Sequence, residues 1–578
     1  MKETDGLRAR VALEWDLRIA LRDGVHLNAT LYRPKPMSSA APAIFTLTPY
    51  IGQRYHDEAV YFAANGFPFL TIDTRGRGNS EGVFEPFIRE GQDGADIVEW
   101  VASQRWCDGK VAMWGGSYGG YCQWVTAAQH PTHLATIAPF ASPYIGVDFP
   151  MRNNVFTPYL VQWLTLVHGR ASQETIFWNH EEFWSAQFRD FFLSGAPFEQ
   201  LDTVLGGPSP IFQEWLAAAE QGAHWDRYNP TEEQYANIDI PVLTITGAYD
   251  GDQPGALFHY RRHLGARSNG RAPHHLVIGP WDHAGTRTPG LKFCGIEVGP
   301  ASLIDLRRLH LEWYDWTLRG GPRPPFLEGP VVYYTMGREH WRHAQNLEAI
   351  TARTDCWFLG STGNPTDVFH SGTLSLDPLT VTGGPDHFVY DPGDVSLASL
   401  ESTVDPESRA DQRMVLAAVG KHLIYHSPPC GSELQISGFL RCVAWISLDR
   451  PDTDLRVSIY EVKIDGSSVL LSADWIRARY RESLRNAVLV TSTQPRRYDF
   501  NRFTFISRAV PQGSRLRLVI SPINSIYSQK NHNTGCVVSE ESMSDARAVT
   551  VRLFHDPEHP SALYVPIGEH GEATCATP

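Results

Sequence analysis

The sequence predicts an α/β fold, a doubly wound and mostly parallel sheet, interrupted by an inserted helical cap and followed by a C-terminal all-β domain of jelly-roll or sandwich type. Three observations carry that expectation. Apolar strand-like runs alternate with helix-like segments over the first 140 or so residues and again from about 240 to 350, the rhythm of a parallel sheet. Between them the rhythm breaks, and tryptophan and phenylalanine accumulate. Beyond about 350, short apolar runs are separated by turns containing Pro and Gly. The expected units are 1–144 and 238–350 for the two parts of the α/β domain, 145–237 for the cap and 351–578 for the β-domain.

Taken in order, residues 15–21 and 25–32 alternate apolar and polar side chains around Asp23-Gly24 and read as a hairpin. A short strand at 43–47 runs into Thr48-Pro49-Tyr50, a helix is expected over 58–65 before Gly66, and a strand follows at 68–73. The loop 75–82 has the look of a dinucleotide loop, but Gly82 falls one residue late for GxGxxG. A helix over 92–105 leads into an apolar strand, then Gly115-Gly116-Ser117-Tyr118-Gly119-Gly120, then a helix over 121–130 ending before Pro131. In the cap, Trp163, Trp178, Trp184, Trp215 and Trp225 stand among five phenylalanines; most should form the cap's own core, with Trp163 and Trp178 as candidates to face a ligand. Strands at 240–247 and 275–279, a helix at 303–318 and a strand at 331–335 complete the α/β unit. The β-domain shows strands at 434–439, 455–460, 469–473 and 516–520, and no internal repeat is found.

Composition narrows the function. The formal charge of −14 argues against nucleic-acid binding, which needs clustered Lys and Arg. No run of 18 apolar residues suggests a membrane span, and the segment Met1-Lys2-Glu3-Thr4-Asp5-Gly6 lacks the apolar core of a secretion signal. Eight cysteines without CxxC spacing suggest free thiols, hence a cytoplasmic location. With no HExxH and no Walker A loop, neither a metal nor a cofactor is expected, and the partner is a small molecule; a homodimer is left open.

The chemistry centres on Gly115-x-Ser117-x-Gly119, a strand-turn-helix pattern that leaves one serine at the apex of a strained turn. An acyl-transfer site needs a nucleophile, a base, an orienting acid and oxyanion donors. Ser117 is the candidate nucleophile. The strand at 242–246 ends in Gly247-Ala248-Tyr249-Asp250, and the strand at 276–278 in Gly279-Pro280-Trp281-Asp282-His283. Both ends lie at the same sheet edge as Ser117, so His283 is the candidate base and Asp250 the acid that orients it. Asp252 competes with Asp250 and is ranked second. Asp282 reads as a structural carboxylate, while His274 and His275 precede their strand and are disfavoured. The Tyr118 amide is one oxyanion donor; Tyr50 either supplies the second through its hydroxyl or merely packs.

Together, Asp23-Gly24-Val25, Thr48-Pro49-Tyr50, Asp73-Thr74-Arg75-Gly76-Arg77-Gly78, the Ser117 turn, Ala248-Tyr249-Asp250 and Gly279-Pro280-Trp281-Asp282-His283 resemble the cocaine esterase and X-prolyl dipeptidyl peptidase (S15-like) acyl hydrolases. In the β-domain, Asp452-Thr453-Asp454-Leu455, Arg477-Ala478-Arg479-Tyr480-Arg481 and Asn533-Thr534-Gly535 resemble it too, so the likeness spans nearly the whole chain. It implies an α/β-hydrolase domain with an inserted cap, a jelly-roll domain, and an oxyanion hole made by the Tyr50 hydroxyl and the Tyr118 amide. The related α-amino ester hydrolases carry acidic residues close after the serine, where this chain has Gly119 and Gly120, which weakens recognition of an ammonium group. Asp252, where the cocaine esterases tend to be apolar, is a candidate partner for a cationic substrate. The expected function is a serine hydrolase of a small ester or amide with a bulky or aromatic acyl group, acting through an acyl-enzyme. Alternatives are an acyltransferase on the same residues, an X-prolyl-type peptidase with dipeptidyl-peptidase activity and, more remotely, a non-catalytic binding module.

Overall fold

The computed structural model describes residues 10–174, 181–266, 272–378 and 384–569. A ten-stranded sheet forms the first layer: β1 (Val11–Ala20), β2 (His26–Pro34), β3 (Ala41–Thr48), β4 (Phe69–Asp73), β5 (Cys107–Gly116), β6 (Leu134–Phe140), β7 (Val242–Gly247), β8 (His274–Gly279), β9 (Val331–Thr335) and β10 (His340–Ala344). Their spatial order is β1-β2-β4-β3-β5-β6-β7-β8-β9-β10. The strands from β4 to β9 pair in parallel, and antiparallel strands close both ends.

Helices α1 (His56–Ala64), α2 (Glu90–Ala102) and α3 (Tyr118–Ala127) cover the sheet. Alternation along β5 divides them. Val111 and Met113 face the core shared with Val98 of α2 and Trp124 of α3, whereas Ala112 and Trp114 face Phe62 of α1. Parallel strands covered on both faces are mostly apolar, and β3 and β4 are buried almost throughout, with threonines and Asp73 as their polar members.

The cap contains α4 (Tyr159–Leu166), α5 (Glu181–Ser194) and α6 (Pro210–Ala217), joined by shorter helices. Reading this segment as mostly helical misses a hairpin, Met151–Arg152 against Val155–Phe156. Its turn residues Asn153 and Asn154 have φ of 51° and 62°, the left-handed geometry of a tight hairpin turn, and this Asn-Asn pair is the signal that could have found it. After the cap come α7 (Gln253–Ala266) and α8 (Leu306–Arg319). The latter starts three residues later than expected because the Asp305 carboxylate accepts from the Arg308 amide at 3.0 Å and caps the helix there.

The C-terminal layer joins thirteen strands among the described residues, from Arg353–Gly360 to Ala562–Ile567. All pair antiparallel except Gly372–Ser375 with Leu423–His426. Side chains lock this layer to the rest. Gln253 exchanges hydrogen bonds with both backbone groups of Phe505, at 2.6 and 3.1 Å. Arg477 forms a buried two-bond pair with Asp454 and also donates to the Asn154 carbonyl of the cap hairpin at 3.0 Å. Such a pair adds little net stability but fixes one geometry, here the seat of the cap on the β-domain. No helix among the described residues is long and apolar enough to cross a membrane.

Candidate active site

The site forms where β3, β5, β7 and β8 end. Ser117 sits between β5 and α3 with φ 57° and ψ −125°, a region that side-chain-bearing residues avoid. Space as well as angle sets this turn: a Cβ on Gly116 would lie 2.0 Å from the Phe140 ring. Gly119, the last glycine of the motif, has room, since its nearest neighbour would be 3.8 Å away. The Ser117 amide donates to the Phe140 carbonyl at 3.0 Å, tying the turn to the end of β6. Tyr118 opens α3, so its N–H has no acceptor within the helix and points out of the turn.

The loops after β7 and β8 are zipped together. Ala248 N donates to Gly279 O at 2.8 Å and Tyr249 N to Trp281 O at 3.0 Å, and the fully buried Trp281 wedges beneath. This pairing carries Asp250 to His283, whose Nδ1 lies 2.8 Å from the Asp250 carboxylate. The carboxylate can only accept, so Nδ1 carries the hydrogen and Nε2 keeps its lone pair. Asp250 is buried and further held by Thr246 Oγ1 at 3.1 Å and the Asp252 amide at 3.0 Å. Asp252 Oδ2 is 3.6 Å from the same His283 nitrogen. Burial pulls the His283 pKa down, but the charges of Asp250 and Asp252 and the hydrogen bond from Asp250 outweigh it, and the net shift is upward.

Tyr50 enters from the loop after β3, its phenol within hydrogen-bond reach of Ser117 and accepting from Trp163 Nε1 at 3.1 Å. Burial pushes the phenol up to about 12, so it stays a neutral donor at working pH. Because Trp163 occupies one lone pair, the Tyr50 proton is free to face the serine. Trp163, expected as a ligand contact, is only 4% exposed, lies stacked on Tyr118 and Phe87, and spends its single polar atom on Tyr50. The structure gives it a holding position beneath Tyr50 instead. Trp178 lies outside the described residues. Trp184, Trp215 and Trp225 are buried in the cap, and the half-exposed cap aromatic near the site is Tyr159. Burial first, then the charges of Tyr50 and Asp252, raises its phenol.

Several supporting residues escape a reading of the sequence. Arg77, from the loop expected to be merely polar, is fully buried and donates to Pro49 O at 2.8 Å and Val167 O at 2.6 Å. It thereby clamps the Tyr50 loop to the C-terminal carbonyls of α4, where a helix end favours a cation. Burial lowers its guanidinium to about 10. The Tyr118 hydroxyl donates to Glu90 and accepts from Phe87 N at 2.9 Å, and burial raises Glu90 to about 7. Asp148, just before the cap hairpin, accepts from Tyr144 N at 2.9 Å and from Gly255 N. Its carboxyl is raised well above the ordinary range by burial and then by the charge of Asp252, which burial itself raises to about 7. Asp252 therefore stands beside His283, with Asp148 near it, although Gly119 and Gly120 follow the serine. The disfavoured residues have structural partners: Asp282 accepts from Gly285 N at 2.7 Å, His274 bonds Thr244 at 2.9 Å and His275 bonds Gly329 O at 3.1 Å.

Among the described residues, two groups have donor spacing suited to a cation, Asp250-Asp252-His283 and Asp282-Cys294-Glu407. In the first, the His283 nitrogen that would bind an ion already donates to Asp250, an arrangement suited to moving a proton. Every cysteine among the described residues is a free thiol.

Residues 23–285 match the family model of the X-Pro dipeptidyl-peptidase (S15 family), and residues 327–564 match the X-Pro dipeptidyl-peptidase C-terminal non-catalytic domain. The chain belongs to this family of serine hydrolases. It is similar to the cocaine esterase of Rhodococcus sp. (strain MB1 Bresler), 25% identical over 591 residues that cover 96% of this chain and 98% of the relative. Its fold matches an aminopeptidase from the marine sediment archaeon Thaumarchaeota archaeon with a TM-score of 0.82 at 20% identity, covering 98% and 97% of the two chains. It also matches an α-amino acid ester hydrolase with a TM-score of 0.81 at 21% identity, covering 96% and 97%. The α/β-hydrolase domain with a C-terminal β-domain, expected from the sequence, is the fold of this S15 enzyme.

Proposed function

We propose that this S15 hydrolase cleaves small esters or amides through an acyl-enzyme on Ser117, and that its preferred acyl donors carry an amino group close to the scissile carbonyl. Asp252, 3.6 Å from His283, with Asp148 near it, is the observation that carries the second part. Burial together with the charge of a neighbouring carboxylate, Asp252 for Asp148 and Asp250 for Asp252, makes both hold their protons more tightly than isolated acids do. An incoming ammonium relieves that repulsion, so both ionise as it binds. The names of the two structural neighbours, an aminopeptidase and an α-amino acid ester hydrolase, point the same way, as does the family's X-Pro peptidase description.

In this mechanism Ser117 Oγ attacks the carbonyl while His283 Nε2 takes its proton. Asp250 keeps Nδ1 protonated and stabilises the imidazolium. The oxyanion is received by the Tyr50 hydroxyl and the Tyr118 amide, the latter aided by the N-terminal end of α3. The protonated His283 then returns its proton to the leaving group, and water repeats the sequence to release the acid. The half-exposed Tyr159 supplies aromatic surface near the acyl side.

The test compares phenylglycine methyl ester with phenylacetic acid methyl ester. Wild type should favour the amino ester in kcat/KM, and Asp148→Asn with Asp252→Asn should erase most of that preference while retaining turnover of the desamino ester. Equal preference in wild type and the double variant would refute the amino-group assignment. Intact turnover of either ester by Ser117→Ala would refute the serine mechanism itself.

A further inference from the structure

On the β-domain side of the Ala248–Gly251 loop lies a cavity of about 440 Å³, bordered by Asp250 but not by Ser117, His283 or Tyr50. Its volume falls within the roughly 300–1,000 Å³ typical of small-molecule sites. Three arginines from separate parts of the chain line it: Arg152 from the cap hairpin, Arg409 from the excursion between β-domain strands, and Arg456 from the strand Asp454–Val462. Elsewhere in the β-domain, buried Arg477 and Arg508 pair with Asp454 and Glu461, and buried Arg517 donates to His426 and Gln412. Among the described residues these three form no ion pair. Arg152 donates only to the carbonyls of Ala473 and Arg502, at 3.2 Å each, with its guanidinium 4.3 Å over the Trp475 ring. The Arg409 guanidinium lies 5.4 Å from the Tyr249 ring centre.

The polar atoms in the walls repeat the pattern. Arg409 Nε, Arg456 Nε, His422 Nε2 and the Tyr249 hydroxyl are buried without a hydrogen-bond partner among the described protein groups. Six carboxyls line it as well, each with a partner of its own: Asp394 pairs with Lys421 at 2.6 Å, Asp411 with Arg413 at 2.6 Å, Glu401 accepts from Ser525 and Ile526, Asp250 holds His283, and Asp391 and Asp405 accept from the Gly393 and Glu407 amides. Burial, together with the charge of neighbouring arginines, holds the Arg152 and Arg456 guanidiniums below their ordinary range. The charges of Asp474 near Arg152 and Glu401 near Arg456 offset part of this, yet neither carboxylate closes an ion pair with its arginine.

We propose that this cavity binds a small organic carboxylate with a flat apolar body. The guanidiniums and the Tyr249 hydroxyl would hold the carboxylate, since planar guanidinium forks match it geometrically. Trp475, Tyr460 and Tyr527 in the lining give flat walls for the remainder. The site stands apart from Ser117 and does not depend on the amino-ester reading.

Isothermal titration of the full chain with phenylacetate tests this. Wild type should show one saturable site, and Arg409→Met and Arg456→Met should each weaken it at least tenfold. Neither variant should melt much earlier than wild type, because neither breaks an ion pair. Tyr50→Phe should leave the affinity within twofold. Unchanged binding in both arginine variants would overturn the proposal, as would loss of binding in Tyr50→Phe, which would put the anion in the oxyanion hole. Absence of saturable binding to wild type would mean that water alone hydrates these arginines, and would overturn it too. Should Arg456→Met fail to fold, Arg409→Met and Arg152→Met, on other segments, keep the test decisive.

Discussion

Replacing Tyr50 by phenylalanine removes one oxygen atom, and the structure allows its effects to be worked out. The phenol is buried, raised to about 12 by that burial, and held by the 3.1 Å bond from Trp163. It is thus a single neutral donor positioned before the reaction begins. Loss of one such oxyanion donor costs about 2.7–4 kcal/mol of transition-state stabilisation, or about 10²–10³ in kcat. The ground-state carbonyl gains far less from it, so KM should change little. The same oxygen is the acceptor for Trp163 Nε1, a nearly inaccessible donor. Orphaning a buried donor costs about 1–3 kcal/mol, so the variant should also melt earlier. Stopped-flow hydrolysis of p-nitrophenyl acetate reads the acylation rate, and calorimetry reads the melting temperature. Trp163→Phe keeps the stacking but removes the N–H; if it acts through Tyr50, it should slow wild type yet add little in the Tyr50→Phe background. An acylation rate for Tyr50→Phe within threefold of wild type would refute the reasoning.

The carboxyl pair and the turn glycines give two more expectations. Asp252 raises the His283 pKa, and a protonated imidazole cannot take the serine proton. Asp252→Asn should therefore move the acid limb of kcat/KM to lower pH; an unmoved limb would mean Asp252 does not act on His283. The same substitution has a stability sign. A carboxyl raised to about 7 in the fold holds its proton while the unfolded chain loses it between about pH 4 and 7, so stability falls as pH rises through that window. Asp252→Asn should consequently raise the melting temperature near pH 7 and leave it unchanged near pH 4. For the glycines, Gly116→Ala drives a methyl into the Phe140 ring and should cost about 1–3 kcal/mol. Gly119→Ala, with room for its Cβ, should be neutral or slightly stabilising, as alanine is in a helix. Equal melting temperatures for the two would contradict the packing described.

Much of this arrangement was legible because strand ends are ordered in the sequence as they are in space. The apolar runs located β5, β7 and β8, and parallel register then brought Ser117, Asp250 and His283 to one edge. What could not be read are contacts between segments far apart in the chain. Asp148 meets Asp252 only because the Asp148 side chain caps the start of α7 through Gly255 N. Arg77 looked like loop polarity because the carbonyls that bury it come from residues 166 to 171, in another unit. Composition does not distinguish a ring that lines a pocket from one that holds another residue in place. Trp163 is of the second kind.

The identity of the nucleophile is tested most directly by reacting the protein with a fluorophosphonate and mapping the adduct by mass spectrometry. One adduct per chain on the peptide carrying Ser117, matched by a burst of p-nitrophenol of the same stoichiometry and absent from Ser117→Ala, is the expected result. An adduct on another residue, or undiminished turnover by Ser117→Ala, would contradict it.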